Sequence, residues 1–78
     1  MVVGFVLINI LPLYEYEVFN ILSKLPEVIE VHPLFGEYDL IAKIEAKDYE
    51  SIGEIIIQKI KTIKGIIDTT TLTGMKLH

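Results

Sequence analysis

The second half of the chain repeats the pattern of the first half at an offset of 38 residues. Three alignments carry this repeat: residues 25–30 with residues 63–68, Leu34 with Leu72, and Gly36 with Gly74. A 78-residue chain with two such halves predicts one strand–helix–strand unit used twice. The two units would pack by pseudo-twofold symmetry into a single sheet with its helices on one side.

Apolar periodicity divides the chain into four strands and two helices. We expect strands at residues 2–10, 28–35, 40–46 and 66–73, helices at residues 14–25 and 49–62, and a tail at residues 74–78. The buried stripe of the first helix should include Ile21 and Leu22. Lys59 should lay its methylenes on the core and extend its ammonium group to water. Pro33 cannot donate a ladder hydrogen bond, which places the second strand at a sheet edge.

This order of elements, βαββαβ, is that of a ferredoxin-like α+β fold. Right-handed crossovers then give a four-stranded antiparallel sheet with strand order 4-1-3-2 and two helices on one face. A chain of 78 residues has room for one domain, residues 1–78, with one small core.

The sheet face opposite the helices should carry an apolar patch without cover. Four side chains are expected there: Val3, Phe5, Leu7 and Ile41. Hydrophobic residues make up 51% of the chain, which is more than so small a core hides. We therefore expect a homodimer joined face to face by its sheets, in the manner of dimeric α+β barrel proteins.

The charged residues argue against nucleic acid and membranes as direct partners. The chain carries eleven acidic residues and seven basic residues, all of them lysines, for a net charge of −4. A nucleic-acid-binding domain normally presents a basic surface, so no direct binding is expected. No apolar run reaches the roughly 20 residues that span a bilayer. The first residues lack the basic start of a signal peptide, so we expect a cytoplasmic protein.

Residues suited to catalysis or metal binding are scarce. The chain has no cysteine, and its two histidines, His32 and His78, lack a partner at metal-ligand spacing. Ser23 and Ser51 lie within predicted helices with no histidine beside them. We therefore expect no catalytic residue, no metal site and no cofactor.

Two groups of polar residues allow both a structural and a functional interpretation. The threonines at 69–71 either reflect the β propensity of this residue or line the site of a small polar ligand. Asp39 either stabilises the turn after Gly36 or offers its carboxylate to the ammonium group of a ligand. Tyr38 either packs or donates its hydroxyl.

Four motifs follow one another in the chain: Leu25-Pro26-x-Val28, Gly36-Glu37-Tyr38-Asp39, Ile63-Lys64-Gly65-Ile66 and a threonine-rich last strand. With them the chain resembles the effector-binding domain of the Lrp/AsnC family, also called the RAM domain. The resemblance implies a ferredoxin-like fold, a homodimer built by sheet packing, often a ring of four dimers, and an amino acid bound between dimers.

In that family the ligand touches the Gly-acid-Tyr-Asp loop and the final strand. The resemblance therefore implies seven ligand-binding residues: Gly36, Glu37, Tyr38, Asp39, Thr69, Thr70 and Thr71. Because the sequence starts at the first strand of the domain, it resembles the stand-alone form without the DNA-binding helix-turn-helix. We expect an amino-acid-sensing module that oligomerises and modulates transcription through full-length regulators.

Other functions stay open from the sequence. A small enzyme of the dimeric α+β barrel type, monooxygenase- or isomerase-like, shares the expected fold, and a helix-side pocket containing His32 or Tyr49 would favour it. A purely structural partner would lack a cavity near Asp39 and Thr70. An ACT-type module is disfavoured because residues 11–13 stand where its glycine-rich loop belongs.

Overall fold

The elements of the fold follow the order expected from the sequence. The computed structural model describes residues 1–74, so the expected tail residues 75–78, including His78, lie outside the described part. The elements are β1 (Val2–Ile10), α1 (Glu15–Lys24), β2 (Val28–Pro33), β3 (Leu40–Ala46), α2 (Tyr49–Ile55), a π-helical segment (Ile56–Ile60) that continues α2, and β4 (Ile66–Thr73).

The four strands form one antiparallel sheet in the order β2-β3-β1-β4. This is the predicted order 4-1-3-2 counted from the other edge, so the ferredoxin-like topology is confirmed. The apolar strands β1 and β3 lie at the centre, and β2 lies at an edge, as Pro33 at its end requires. The second strand stops two residues earlier than expected, and residues 34–39 form the connection to β3.

The core lies between the sheet and the two helices. Burial alternates along β1 and β3, which assigns every second side chain to the helix-covered face. Thirteen buried apolar residues make up this core: Val6, Ile8, Ile10, Val18, Leu22, Leu40, Ala42, Ile44, Ala46, Ile52, Ile56, Ile60 and Ile63. No buried polar side chain interrupts the core within residues 1–74, so the hydrophobic effect is its main source of stability.

The buried face of α1 is rotated relative to the predicted stripe. Val18 and Leu22 are fully buried and Phe19 packs against the core, whereas Ile21 is 44% exposed. At about 100° per residue, the buried face therefore centres near Leu22, about 60° closer to Phe19 than expected. The prediction that Ile21 is buried is thus wrong.

The connection between β1 and α1 depends on a glycine from the second half of the chain. Gly65 adopts a φ of +101°, and a Cβ at this position would lie 2.6 Å from the Cβ of Tyr14. Its carbonyl accepts a hydrogen bond of 2.7 Å from the amide of Leu11. Leu13 in the same connection has a φ of +79°, which is unusual for a residue with a side chain. Gly65 therefore lets the turn before β4 pack against Tyr14 at the start of α1. The second helix itself ends at Ile60, two residues earlier than expected.

The second helix contains a π-helical turn that the sequence did not predict. Its start agrees with expectation, because the Asp48 carboxylate accepts a hydrogen bond of 2.8 Å from the amide of Ser51. This bond is the main reason why the pKa of Asp48 is lowered. At the other end, the amide of Lys61 donates to the carbonyl of Ile56 at 2.8 Å, five residues earlier.

Lys59 in the π-helical segment forms an ion pair with Glu27, at the start of β2. The sequence predicted that the ammonium group of Lys59 extends to water. In the structure this group contacts the carboxylate of Glu27. The hydrogen bond from Lys59 is the main reason why the pKa of Glu27 is lowered from its ordinary value of 4.5. The pair connects the end of the second helix to the residue that precedes the edge strand β2.

We expect Lys59→Met to make the free energy of unfolding less dependent on pH. A lowered pKa in the folded protein means that the pair stabilises the fold above about pH 4.5, and that this contribution is lost as pH falls through the lower folded pKa of Glu27. The loss at pH 7 should stay below about 1 kcal/mol, because the pair is partly exposed. Urea unfolding between pH 7 and pH 3, with Lys61→Met as control, measures this. A difference between wild type and Lys59→Met that is constant over this range would contradict it.

We expect Leu22→Ala to destabilise the fold by about 2–5 kcal/mol, because it opens a cavity in a fully buried site. The neighbouring change Ile21→Ala should cost less than half as much, because Ile21 is partly exposed. Urea unfolding of both variants measures the two effects. Equal losses would mean that the helix is not rotated as described.

Candidate functional site

The predicted ligand-binding residues lie in two places, the β2–β3 connection and the edge strand β4. Gly36, Glu37, Tyr38 and Asp39 follow β2, whereas the threonines belong to β4 on the far side of β1. Gly36 has a φ of +143°, which glycine adopts without strain. Gly36 and Glu37 are exposed, and Tyr38 and Asp39 are partly buried.

Tyr38 connects the β2–β3 connection to the edge strand β4. Its hydroxyl lies 3.4 Å from the hydroxyl of Thr70 in β4. Thr70 is paired with Leu7 of β1, which is paired in turn with Ile41 of β3. Tyr38 therefore links the β2–β3 connection to the far edge strand, on the sheet face opposite the helices.

Asp39 links the connection to the end of the central strand. Its Oδ2 accepts a hydrogen bond of 2.7 Å from the amide of Ile10, and its own amide donates to the carbonyl of Ile8 at 2.9 Å. The pairing of β1 with β4 shifts between Asn9 and Ile10, so the carboxylate binds an amide at an irregular point of the ladder. The two interpretations of Asp39 from the sequence, a role in the turn and a contact with a ligand, did not include this contact with β1.

The three threonines do not share one face of the sheet. Thr70 lies on the sheet face opposite the helices, whereas Thr69 and Thr71 are paired with the buried residues Ile8 and Val6 and thus belong to the helix side. The structure therefore brings Tyr38 and Thr70 together but separates this pair from Thr69 and Thr71. Strict alternation along a strand is the signal from which this split could have been deduced.

A cleft lies between α1 and the β2–β3 connection, with Asp39 in its wall. We call it the α1 cleft; its volume is about 550 Å³, and its lining consists of Ile10, Glu15, Tyr16, Phe19, Asn20, Pro33, Leu34, Asp39 and Leu40. Its size is in the range of small-molecule sites. Sequence reasoning missed the α1 residues Glu15 and Phe19, because nothing in the sequence indicates which part of α1 meets the β2–β3 connection.

A second groove lies between the second helix and β4, with a volume of about 290 Å³. We call it the β4 groove; its polar lining consists of Tyr49, Lys61, Thr69, Thr71 and Thr73. This is a helix-side pocket containing Tyr49, the feature that would favour an enzyme. The Tyr49 hydroxyl donates to the Gly74 carbonyl at 3.1 Å, however, and His32 lies on the other face of the sheet. Among residues 1–74, no histidine and no carboxylate lines this groove.

The sheet face opposite the helices, the open face, has an apolar centre. Val3, Phe5, Leu7 and Ile41 lie on this face, as the sequence predicted, and Leu7 is paired with Ile41. At the β2 edge, Glu30 accepts from His32 at 2.9 Å and pairs with Lys43 at 3.5 Å.

Polar groups border this apolar centre on two sides. Hydrogen bonds from His32 and then Lys43 lower the pKa of Glu30. At the β4 edge, the side-chain amide of Asn9 donates a hydrogen bond of 3.2 Å to the carboxylate of Asp68. An apolar centre within a polar border is the usual composition of a protein interface.

This fold, with an open sheet face and a cleft beside a Gly-acid-Tyr-Asp connection, is that of a ferredoxin-like domain. The family model of the Lrp/AsnC ligand binding domain matches residues 4–77, and the chain belongs to this family. An uncharacterized HTH-type transcriptional regulator of Pyrococcus furiosus is 41% identical over 74 residues, which cover 91% of this chain and 49% of the relative. The chain thus spans about half the length of the curated relatives it matches.

Solved structures share the fold closely. A hypothetical protein from Pyrococcus horikoshii is 35% identical, with a TM-score of 0.89 over 100% of this chain and 94% of the other. A transcriptional regulator from Neisseria meningitidis, solved as an L-Met complex, is 21% identical, with a TM-score of 0.86 over 96% of this chain and 50% of the other. None of the helices in the described residues is long and apolar enough to cross a membrane.

We expect Asp39→Ala to destabilise the domain without any ligand, by about 1–3 kcal/mol, because the partly buried amide of Ile10 loses its acceptor. Tyr38→Phe should cost under about 0.5 kcal/mol, since it removes only a long, exposed hydrogen bond. Urea unfolding of the two variants without ligand measures the difference. A stability of Asp39→Ala equal to that of wild type would show that the carboxylate is not needed by the fold.

Proposed function

We propose that this domain binds a free amino acid and acts as a regulatory module that assembles with copies of itself. The observation that carries the proposal is the α1 cleft, which opens beside the Gly-acid-Tyr-Asp connection of a chain that belongs to a ligand-binding domain family. The cleft has mostly apolar walls and a few carboxylate, amide and hydroxyl groups, a combination suited to a small amphipathic ligand.

The regulatory part of the proposal rests on the relatives. The matched curated proteins include several named as HTH-type transcriptional regulators. The Neisseria meningitidis regulator shares the fold and was solved with L-Met, which supports an amino acid as the class of ligand. Of the four residues of the family motif, Asp39 lines the cleft, and Gly36, Glu37 and Tyr38 precede it in the same connection.

The open face supports assembly into dimers. Phe5, Leu7 and Ile41 form an apolar surface that neither helix covers, and such a surface is stabilised by contact with another copy. A regulator that carries the same domain would present a similar face. We therefore propose that the chain forms homodimers and larger rings, and that it reaches transcription by co-assembly with full-length regulators of the family.

The proposed mechanism is thermodynamic linkage. A ligand that contacts two subunits at once binds only the assembly in which both are present, and so increases the population of that assembly. The β4 groove, with Thr69 and Thr71, would then contribute from a neighbouring subunit, since it does not face the α1 cleft within one subunit.

We expect at least one standard amino acid to raise both the melting temperature and the solution mass. A ligand at about 100 times its Kd stabilises the folded state by about 2.7 kcal/mol, which corresponds to a rise of roughly 10–20 °C for a domain of this size. Thermal unfolding and sedimentation with each amino acid measure the two effects. An absence of any shift in a folded oligomer would contradict the proposal.

Matched variants test the surface used for assembly. Phe5→Asp should convert the dimer to a monomer, because it buries a charge in the centre of the open face. Leu13→Asp is the control, since Leu13 is an exposed apolar residue of the β1–α1 connection that lines neither the α1 cleft nor the β4 groove. A Phe5→Asp variant that keeps the wild-type mass would contradict dimerisation through this face.

A further inference from the structure

The charged groups of the α1 cleft are acidic. Glu15 approaches from the first turn of α1, and Asp39 approaches from the β2–β3 connection. No lysine among residues 1–74 lines the cleft. Within the same described residues, Glu15 has no ion-pair partner, and Asp39 uses one carboxylate oxygen for its contact with Ile10.

The rest of the lining suits an aliphatic chain. Ile10, Phe19 and Leu40 provide apolar surface in the same lining, and Tyr16 and Asn20 provide groups that can donate hydrogen bonds. A ligand that places methylene groups on this surface gains about fourfold in affinity for each one buried. The cleft therefore offers separate surroundings for an ammonium group, a hydrocarbon stem and a carboxylate.

We infer that the ligand of this cleft is a cationic amino acid such as lysine, ornithine or arginine. Its terminal cation would lie between Glu15 and Asp39, its stem on the apolar wall, and its α-carboxylate near Tyr16 and Asn20. This inference rests on the proposed function, since it specifies which amino acids the domain binds.

Charge complementarity is the reason for the choice. A neutral amino acid brings a carboxylate near two others without a second cation to offset it, and an acidic amino acid brings two carboxylates. A basic amino acid carries one net positive charge at pH 7. The net charge of the chain, −4, adds a weak attraction for a positively charged ligand.

Calorimetric titration of the full chain with matched ligands tests the inference. Lysine and norleucine differ at the terminal ammonium group, and lysine and cadaverine differ at the α-carboxylate. We expect lysine to bind at least about fivefold more tightly than norleucine, which is the upper range for one exposed charge pair. We also expect cadaverine to bind more weakly than lysine. Equal affinities for lysine and norleucine, or for lysine and cadaverine, would overturn the inference.

Two variants locate the site. Glu15→Gln should weaken lysine binding by about fivefold and leave norleucine unchanged, whereas Glu17→Gln should alter neither. Glu17 is a matched control, because it lies in the same helical turn but does not line the cleft. Equal effects of the two variants on lysine would overturn the assignment of the site.

The results also separate the inference from the proposed function. If a neutral amino acid such as leucine or methionine binds and the basic ones do not, the proposed function stands and the cationic ligand is wrong. If none of the standard amino acids binds, the proposed function itself fails.

Discussion

The structure depends on a central strand that is apolar on both faces. In β1, Val6 and Ile8 enter the core, and Phe5 and Leu7 alternate with them onto the open face. The helices can cover only one of these faces. The same nine residues therefore stabilise the subunit and create the surface by which we propose that subunits associate. A change on one side of β1 should act on folding, and a change on the other should act mainly on assembly.

The β2–β3 connection lies between these two faces. Asp39 binds the amide of Ile10 and lines the α1 cleft on the helix side, while Tyr38 reaches Thr70 on the open face. Adjacent residues of one short connection thus contact both the cleft and the proposed interface. A ligand that altered the position of Asp39 would act on a segment that also carries an interface residue, which is a short physical route from binding to assembly.

The topology could be derived from the sequence because it depends on periodicity, whereas the site depends on contacts between distant segments. The element order βαββαβ with right-handed crossovers predicted the strand order, and Pro33 predicted that β2 lies at an edge. The rotation that exposes Ile21 depends on how α1 docks, and the π-helical turn depends on contacts of the whole second helix, so neither follows from local pattern. The bond between Asp39 and Ile10 joins residues 29 positions apart, which no motif encodes.

The free energy that ligand binding supplies, compared with the stability of each contact between copies, indicates which contact a ligand can regulate. A ligand at about 100 times its Kd changes an association constant by about 100-fold if it binds only the associated form. A dimer of standard interface size, about 1,600 Å², commonly stays associated at working concentrations. A 100-fold change then has little effect on its population. The same change acts fully on a weaker contact whose Kd is close to the protein concentration. An amino acid bound where dimers meet would therefore control ring formation, while the open face kept the dimer intact.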